Sequence, residues 1–250
     1  MWTNNLKWEK NRQISIGFAI DKGNRRERNE DSIWFATDGA ETICAVADGV
    51  GGCQGGEVAS AAAVNAAERY WKNSLGIFRL REIFNEAHAE IREYMLNTNT
   101  KSGTTLSVLY CDHSTFSVAH AGDSRVYRVS KGAFAKIELL TRDDTWVAEK
   151  IRDGTITLRE AAGHPKRHTL TNCLGGFKRF NIFETSGKIG FNDVFLLCSD
   201  GLYSYIEEPE LKQILLRCVN TQQTADKLMQ LALSRGGKDN ISVIVLKFDA

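Results

Sequence analysis

Short apolar runs, rich in β-branched residues and bounded by Gly, Asp, Asn and Ser, recur along the chain. ISIGFAI, SIWFA, TICAVA, TTLSVLY, TFSVAHA, RVYRV, DVFLLC and ISVIVLKF each predict a strand. Two helical blocks interrupt them early. GGEVASAAAVNAAERYW is alanine-rich throughout, and LREIFNEAHAEIREYML repeats apolar residues at spacings of three and four. EPELKQILLRCV and TQQTADKLMQLALSR predict two late helices, the second starting at a threonine cap. Hairpin-spaced strands with helices inserted in pairs imply an α+β fold, a central β-sandwich of antiparallel sheets flanked by helices. Strict β-α-β-α alternation is absent, which disfavours a doubly wound parallel sheet. Between about 130 and 180 the pattern loosens into short amphipathic pieces broken by Gly154, Gly163 and Pro165. This predicts a partly helical, flap-like excursion over one end of the core.

Composition narrows the class. The 250 residues, 42% of them hydrophobic, can bury a large core, and two prolines with no low-complexity stretch give no linker. Residues 1–250 are therefore read as a single domain. Lys plus Arg total 32 against 31 Asp plus Glu, so no global field recruits nucleic acid or a membrane surface. The start, MWTNNLKWEKNRQ, lacks a signal peptide's apolar core, and no window approaches the length of a membrane span. Six scattered cysteines without a C-x-x-C pair fit a reducing cytoplasm.

The candidate chemistry lies where strands stop. ICAVAD ends at Asp48, FSVAHAGD at Asp123 and VFLLCSD at Asp200; Asp239 stands just before ISVIVLKF, and Glu30-Asp31 just before SIWF. A single strand-end acid is an ordinary turn or cap residue. Several at one rim of a sandwich would repel one another unless a cation sat among them. Oxygen donors without a His/Cys set favour Mg²⁺ or Mn²⁺ over zinc or copper. Ca²⁺ is left open by the donor set, although no EF-hand loop is present. Gly49, after Asp48, lets the backbone approach an ion and offer its carbonyl. The dinucleotide pattern G-x-G-x-x-G fails at Gln54, and no P-loop lysine follows.

GNRRERNED, VADGVGG, SGTT, AGDSRVY, LTRDD, HPKRHTLTNCLG, CSDGL and KDNISVIV occur in that order over roughly residues 23–245. In these pieces the sequence resembles the metal-dependent Ser/Thr protein phosphatases of the type 2C (PPM) family, in their compact bacterial form. The resemblance implies hydrolysis of phosphoserine and phosphothreonine on proteins by water held between two Mn²⁺ or Mg²⁺ ions, in opposition to a Ser/Thr kinase. Asp48 would bridge the metals, with the Gly49 carbonyl on one and Asp200 and Asp239 on the other. Glu30 and Asp31 would hold metal-bound waters, and Asp123 with Asp200 would build the third site of bacterial relatives. Arg26, which keeps the motif's spacing to Glu30-Asp31 better than Arg25 or Arg28, is similar to the arginine that clamps the phosphate. A guanidinium grips phosphate bidentately, which lysine cannot do. With the charge balance and the cysteine pattern, the expectation is a cytoplasmic monomer that contacts neither nucleic acid nor membrane. Val50 stands where some members carry a histidine proposed as general acid, so no side chain is assigned that role.

Two rivals remain. Cys173-x-x-Gly176-x-x-Arg179 matches the phosphate loop of cysteine-dependent phosphatases. Its context is poor, with Asn172 where histidine is usual and Phe180 where a hydroxyl is usual. The other rival is a catalytically inactive scaffold that only binds phosphoproteins. His120 reads as a packed strand histidine and His164 as structural or substrate-facing; His88 and His113 suggest no role.

Overall fold

The computed structural model describes residues 14–39, 41–50, 55–74, 79–112, 114–130 and 135–248. The segment read for a leader, together with Gly51, Gly52, Cys53, Gln54 and His113, lies outside the described residues. In chain order the elements are β1 (Ile14–Asp21), β2 (Asp31–Asp38), β3 (Glu41–Asp48), α1 (Gly56–Asn73), α2 (Leu80–Thr98), β4 (Leu106–Cys111), β5 (Thr115–Ala121), β6 (Arg125–Ser130) and β7 (Lys136–Leu139). Then follow α3 (Trp146–Arg152), α4 (Leu158–Ala162), β8 (Phe183–Lys188), β9 (Val194–Cys198), α5 (Asp200–Tyr203), α6 (Glu208–Leu216), α7 (Thr221–Ser234) and β10 (Ile241–Phe248).

The strands form two five-stranded sheets, ordered β1-β10-β9-β6-β7 and β2-β3-β4-β5-β8, with every neighbouring pair antiparallel. β3 shows why they stack. Ile43, Ala45 and Ala47 face the helices α1 and α2, whereas Cys44 and Val46 face the second sheet. Both faces of the strand are covered, so the run is apolar at successive positions rather than at alternate ones. α1 meets this sheet through Ala59, Ala62, Ala63, Ala66 and Ala67, a helical stripe of small side chains that brings the backbones close. On the other sheet, Leu211 and Leu215 of α6 and Ala225, Leu228 and Ala232 of α7 form the outer layer. The resulting order is helix, sheet, sheet, helix, with apolar layers at each junction.

Details depart from the sequence reading. α7 is capped by Asn220, whose side chain accepts from Gln223 N, and Thr221 is its first helical residue. β7 lies inside the stretch expected as an excursion, and α3 and α4 follow it. No described helix is long and apolar enough to cross a membrane.

Candidate functional site

β2 and β3 pair in a register that sets Asp31 directly opposite Asp48. Two carboxylates on adjacent strands repel, and the strands hold them there because the register is fixed by the apolar residues behind. Asp48 is anchored through its backbone. Its N–H donates to Thr105 Oγ1 at 2.9 Å, and its carbonyl accepts from Thr105 N at 2.9 Å and Thr104 Oγ1 at 3.0 Å. The carboxylate is left to face the cavity. Asp31 is buried; its Oδ2 accepts from Ser199 Oγ and Ser242 Oγ, both at 2.7 Å, while Oδ1 has no hydrogen-bond partner.

Asp48, Gly49, Asp123, Asp200, Asp239 and Arg26 line one cavity of about 750 Å³. Positions up to 213 residues apart in the chain are thereby brought to one end of the sandwich. Glu30 and Asp31 stand behind this lining, Asp31 beside Asp48 and the Glu30 carboxyl against Gly56. Gly49 is required by close packing: a Cβ there would lie 2.5 Å from Gly56 O and 2.6 Å from Glu30 O. The glycine thus first serves to let three backbone segments converge.

The carboxylates feel one another. Burial, then the charges of Asp31, Asp200, Asp123 and Asp239, push the Asp48 pKa well above the usual carboxylate range. Asp123 is raised in the same way by burial and then by Asp200 and Asp143, against the opposing pull of Arg125. Asp31 is pushed up to about 7, chiefly by burial, although its two serine hydrogen bonds act the other way. Glu30 is also raised, by burial first. Asp239 has its own counter-charge, since Arg26 forks onto it with Nε and Nη2 each at 2.8 Å. Among the described residues no three His, Cys, Asp or Glu side chains close into a tight cage.

Several residues that hold the site were not singled out by sequence reasoning. Buried Asn240 receives Glu30 N on its Oδ1 at 2.9 Å and donates from Nδ2 to Lys22 O and Arg28 O, at 3.0 and 2.9 Å. It therefore fastens the loop that carries Arg26. His168 Nε2 accepts from Arg167 Nε at 2.9 Å, and its Nδ1 lies 3.3 Å from Asp200 Oδ2. Asp144 ties Gly122 N and Asn172 Nδ2 together at 3.1 and 2.7 Å, beside Asp123. Asn240 and His168 lie within the motifs KDN and HPKRH; their partners are remote in sequence, so no local signal revealed the roles.

His120 and His164 are packed as expected, and His88 is not without a role. His120 is buried between Ser107 Oγ and Gly122 O, each at 2.9 Å, and burial lowers its pKa. His164 stacks on Trp146 with ring centroids 4.5 Å apart. His88 does have a role, accepting Gly175 N at 3.1 Å.

The cysteine rival fails on geometry. A phosphate loop needs free amides around its thiolate, yet Leu174 N donates to Thr104 O, Gly175 N to His88 and Gly176 N to Leu174 O. Cys173 is itself buried.

Comparison with known proteins agrees with the geometry. The family model "Protein phosphatase 2C" matches residues 24–235. The serine/threonine phosphatase stp of Listeria monocytogenes is 32% identical over 242 residues, covering 93% of this chain and 95% of the relative. The serine/threonine protein phosphatase PstP of Mycobacterium tuberculosis is 30% identical over 230 residues, 90% of this chain and 43% of its own longer one. Among solved structures, serine/threonine phosphatase Stp1 from Staphylococcus aureus superposes with a TM-score of 0.87 at 28% identity, covering 95% and 96% of the two chains. The catalytic domain of PstP in complex with two manganese ions gives 0.81 at 27% identity, covering 95% of this chain and 99% of that one.

Proposed function

The chain belongs to the protein phosphatase 2C family, and from that premise we propose how its cavity hydrolyses phosphoserine and phosphothreonine esters on proteins. The observation that carries the reading is the gathering of Asp48, Asp123, Asp200 and Asp239 around one cavity with Arg26.

The donor set fits divalent cations. All the candidate ligands are oxygens, the Asp31 Oδ1 is buried without a partner, and the acids carry more like charge than the cavity neutralises. Asp48 and the Gly49 carbonyl would hold one ion, and Asp48, Asp200 and Asp239 a second. Glu30 and Asp31 would act through water, and Asp123 with Asp200 would take a third. When bound, Mn²⁺ or Mg²⁺ acidify water toward neutral pH and neutralise charge on the phosphoryl oxygens.

The chain's own residues do the rest. Asp48 is fixed through backbone hydrogen bonds on both sides of its Cα, so the strand end presents its carboxylate from an anchored backbone. Arg26 offers two parallel N–H donors, the geometry that matches a phosphate. It now spends them on Asp239. The guanidinium has five N–H donors, so three are left for a phosphate while two hold Asp239. Asn240 keeps the Arg26 loop at the right height above the floor.

We take residues 1–250 as one catalytic domain, with the stretch from about 130 to 180 as a flap. Support comes from His168, which that stretch places against Asp200. None of the five described cysteines is in a disulfide, which fits a cytoplasmic site of action against a Ser/Thr kinase. Exposed apolar side chains such as Leu96 on α2, Leu158 on α4 and Val219 in the bend between α6 and α7 are scattered along the chain, which suits a monomer. The reading is tested by turnover of a phosphothreonine peptide. We expect hydrolysis with Mn²⁺, loss on adding EDTA, and survival of activity in Cys173→Ser. Metal-independent turnover abolished by Cys173→Ser would overturn it.

A further inference from the structure

The cavity over the acids is larger than a phosphoryl group needs. Besides the carboxylates and Arg26, its lining includes Val50, Met95, Leu170, Cys173 and Phe177, with Lys101 beside them. Phe177 is 37% exposed, and Met95 and Leu170 are half-buried. Val50, Met95, Leu170 and Phe177 therefore form an apolar wall in contact with solvent, with buried Cys173 behind it.

That wall is fastened to Asp48. Val50 N donates to Gly103 O at 2.9 Å, and Gly49 bridges to Thr104, which bridges in turn to Leu174. Gly175 packs so tightly against Ile91 of α2 that a Cβ there would collide with its side chain. Met95 follows Ile91 by four residues, on the same face of the helix, and Phe177 follows Gly175 by two. The stitching sets the apolar residues at a constant distance from the acid floor.

We propose that this wall is a side-chain subsite for the residue flanking the phosphorylated one, selecting substrates with a large apolar neighbour. The inference rests on the phosphatase reading above. The occupant is the substrate polypeptide itself, because the subsite is continuous with the phosphate position. Arg26 and Lys101 suit the anionic ester, and Lys101 makes no ion pair among the described residues. Apolar walls discriminate by removing substrate surface from water, and a side chain of leucine size supports about a tenfold preference.

The test compares kcat/KM on phosphothreonine peptides that carry leucine or serine beside the phosphothreonine, on either side, with p-nitrophenyl phosphate as a substrate too small to need the wall. The wild type should favour a leucine peptide about tenfold, and Phe177→Ser and Met95→Ser should bring the ratio toward one. A ratio of two substrates on one preparation does not depend on how much of it is folded. A wild-type ratio near one, or a ratio that both variants leave intact, would overturn the subsite while p-nitrophenyl phosphate turnover keeps the phosphatase reading standing. Loss of turnover on every substrate would overturn both.

Discussion

Asp31 shows at the scale of one residue how the site stores electrostatic cost. Its carboxyl is buried beside Asp48, accepts two serine hydroxyls and has one oxygen unpartnered. Burial lifts its pKa from 3.8 to about 7. Between those values the folded metal-free protein keeps a proton that the unfolded chain has lost, so stability falls as pH rises through the window and levels off above it. The melting temperature of metal-free protein should therefore decline between pH 4.5 and 7.5, and Asp31→Asn should flatten the decline. Equal slopes in the two proteins would remove Asp31 from this role. The acids themselves were legible in the sequence, because each stands where an apolar run stops. Asn240 and His168 were not, since each acts on a partner that only folding brings near: Asn240 on Lys22 and Arg28, His168 on Asp200.

At the scale of elements, the sandwich depends on how closely its helices approach the sheets. β1 meets α7 at Gly17, where a Cβ would drive into the Thr221 carbonyl carbon and Gln222 N. Gln222 also exchanges hydrogen bonds with Phe18, donating from Nε2 to its carbonyl at 2.8 Å and accepting its N–H at 3.1 Å. Gly17→Val should force α7 outward and cost about 1–3 kcal/mol, read as a lower urea midpoint with an unchanged slope. A shift within about 0.5 kcal/mol, the size expected of an ordinary surface change, would refute this packing. The same scale explains which elements the sequence revealed. The eight anticipated strands carry continuous or alternating apolar residues. β7 and β8 were missed because each closes the edge of a sheet, one only four residues long, the other (FETSGK) alternating half-buried and exposed positions with a glycine inside. α5, at four residues, is too short to show a period.

At the scale of the whole molecule, the sheets act as a frame that brings acids from β3, the ends of β5 and β9, and the start of β10 to one cavity, with Asp31 of β2 behind it. The fold class was readable because the apolar runs follow one another at hairpin spacing with helices inserted in pairs, rather than in strict alternation with helices. The convergence of the acids was a geometric inference, and the cavity bears directly on it. What pattern alone left hidden was the Arg26–Asp239 pair, in which a residue assigned to phosphate neutralises one assigned to metal. The central claim is that this acid floor binds divalent cations through Asp48. Calorimetric titration of Mn²⁺ into metal-free protein, beside Asp48→Asn, tests it most directly. The account predicts saturable binding in the wild type, weakened at least about tenfold (about 1.4 kcal/mol) in the variant. Absence of binding, or equal affinity in both proteins, would contradict it.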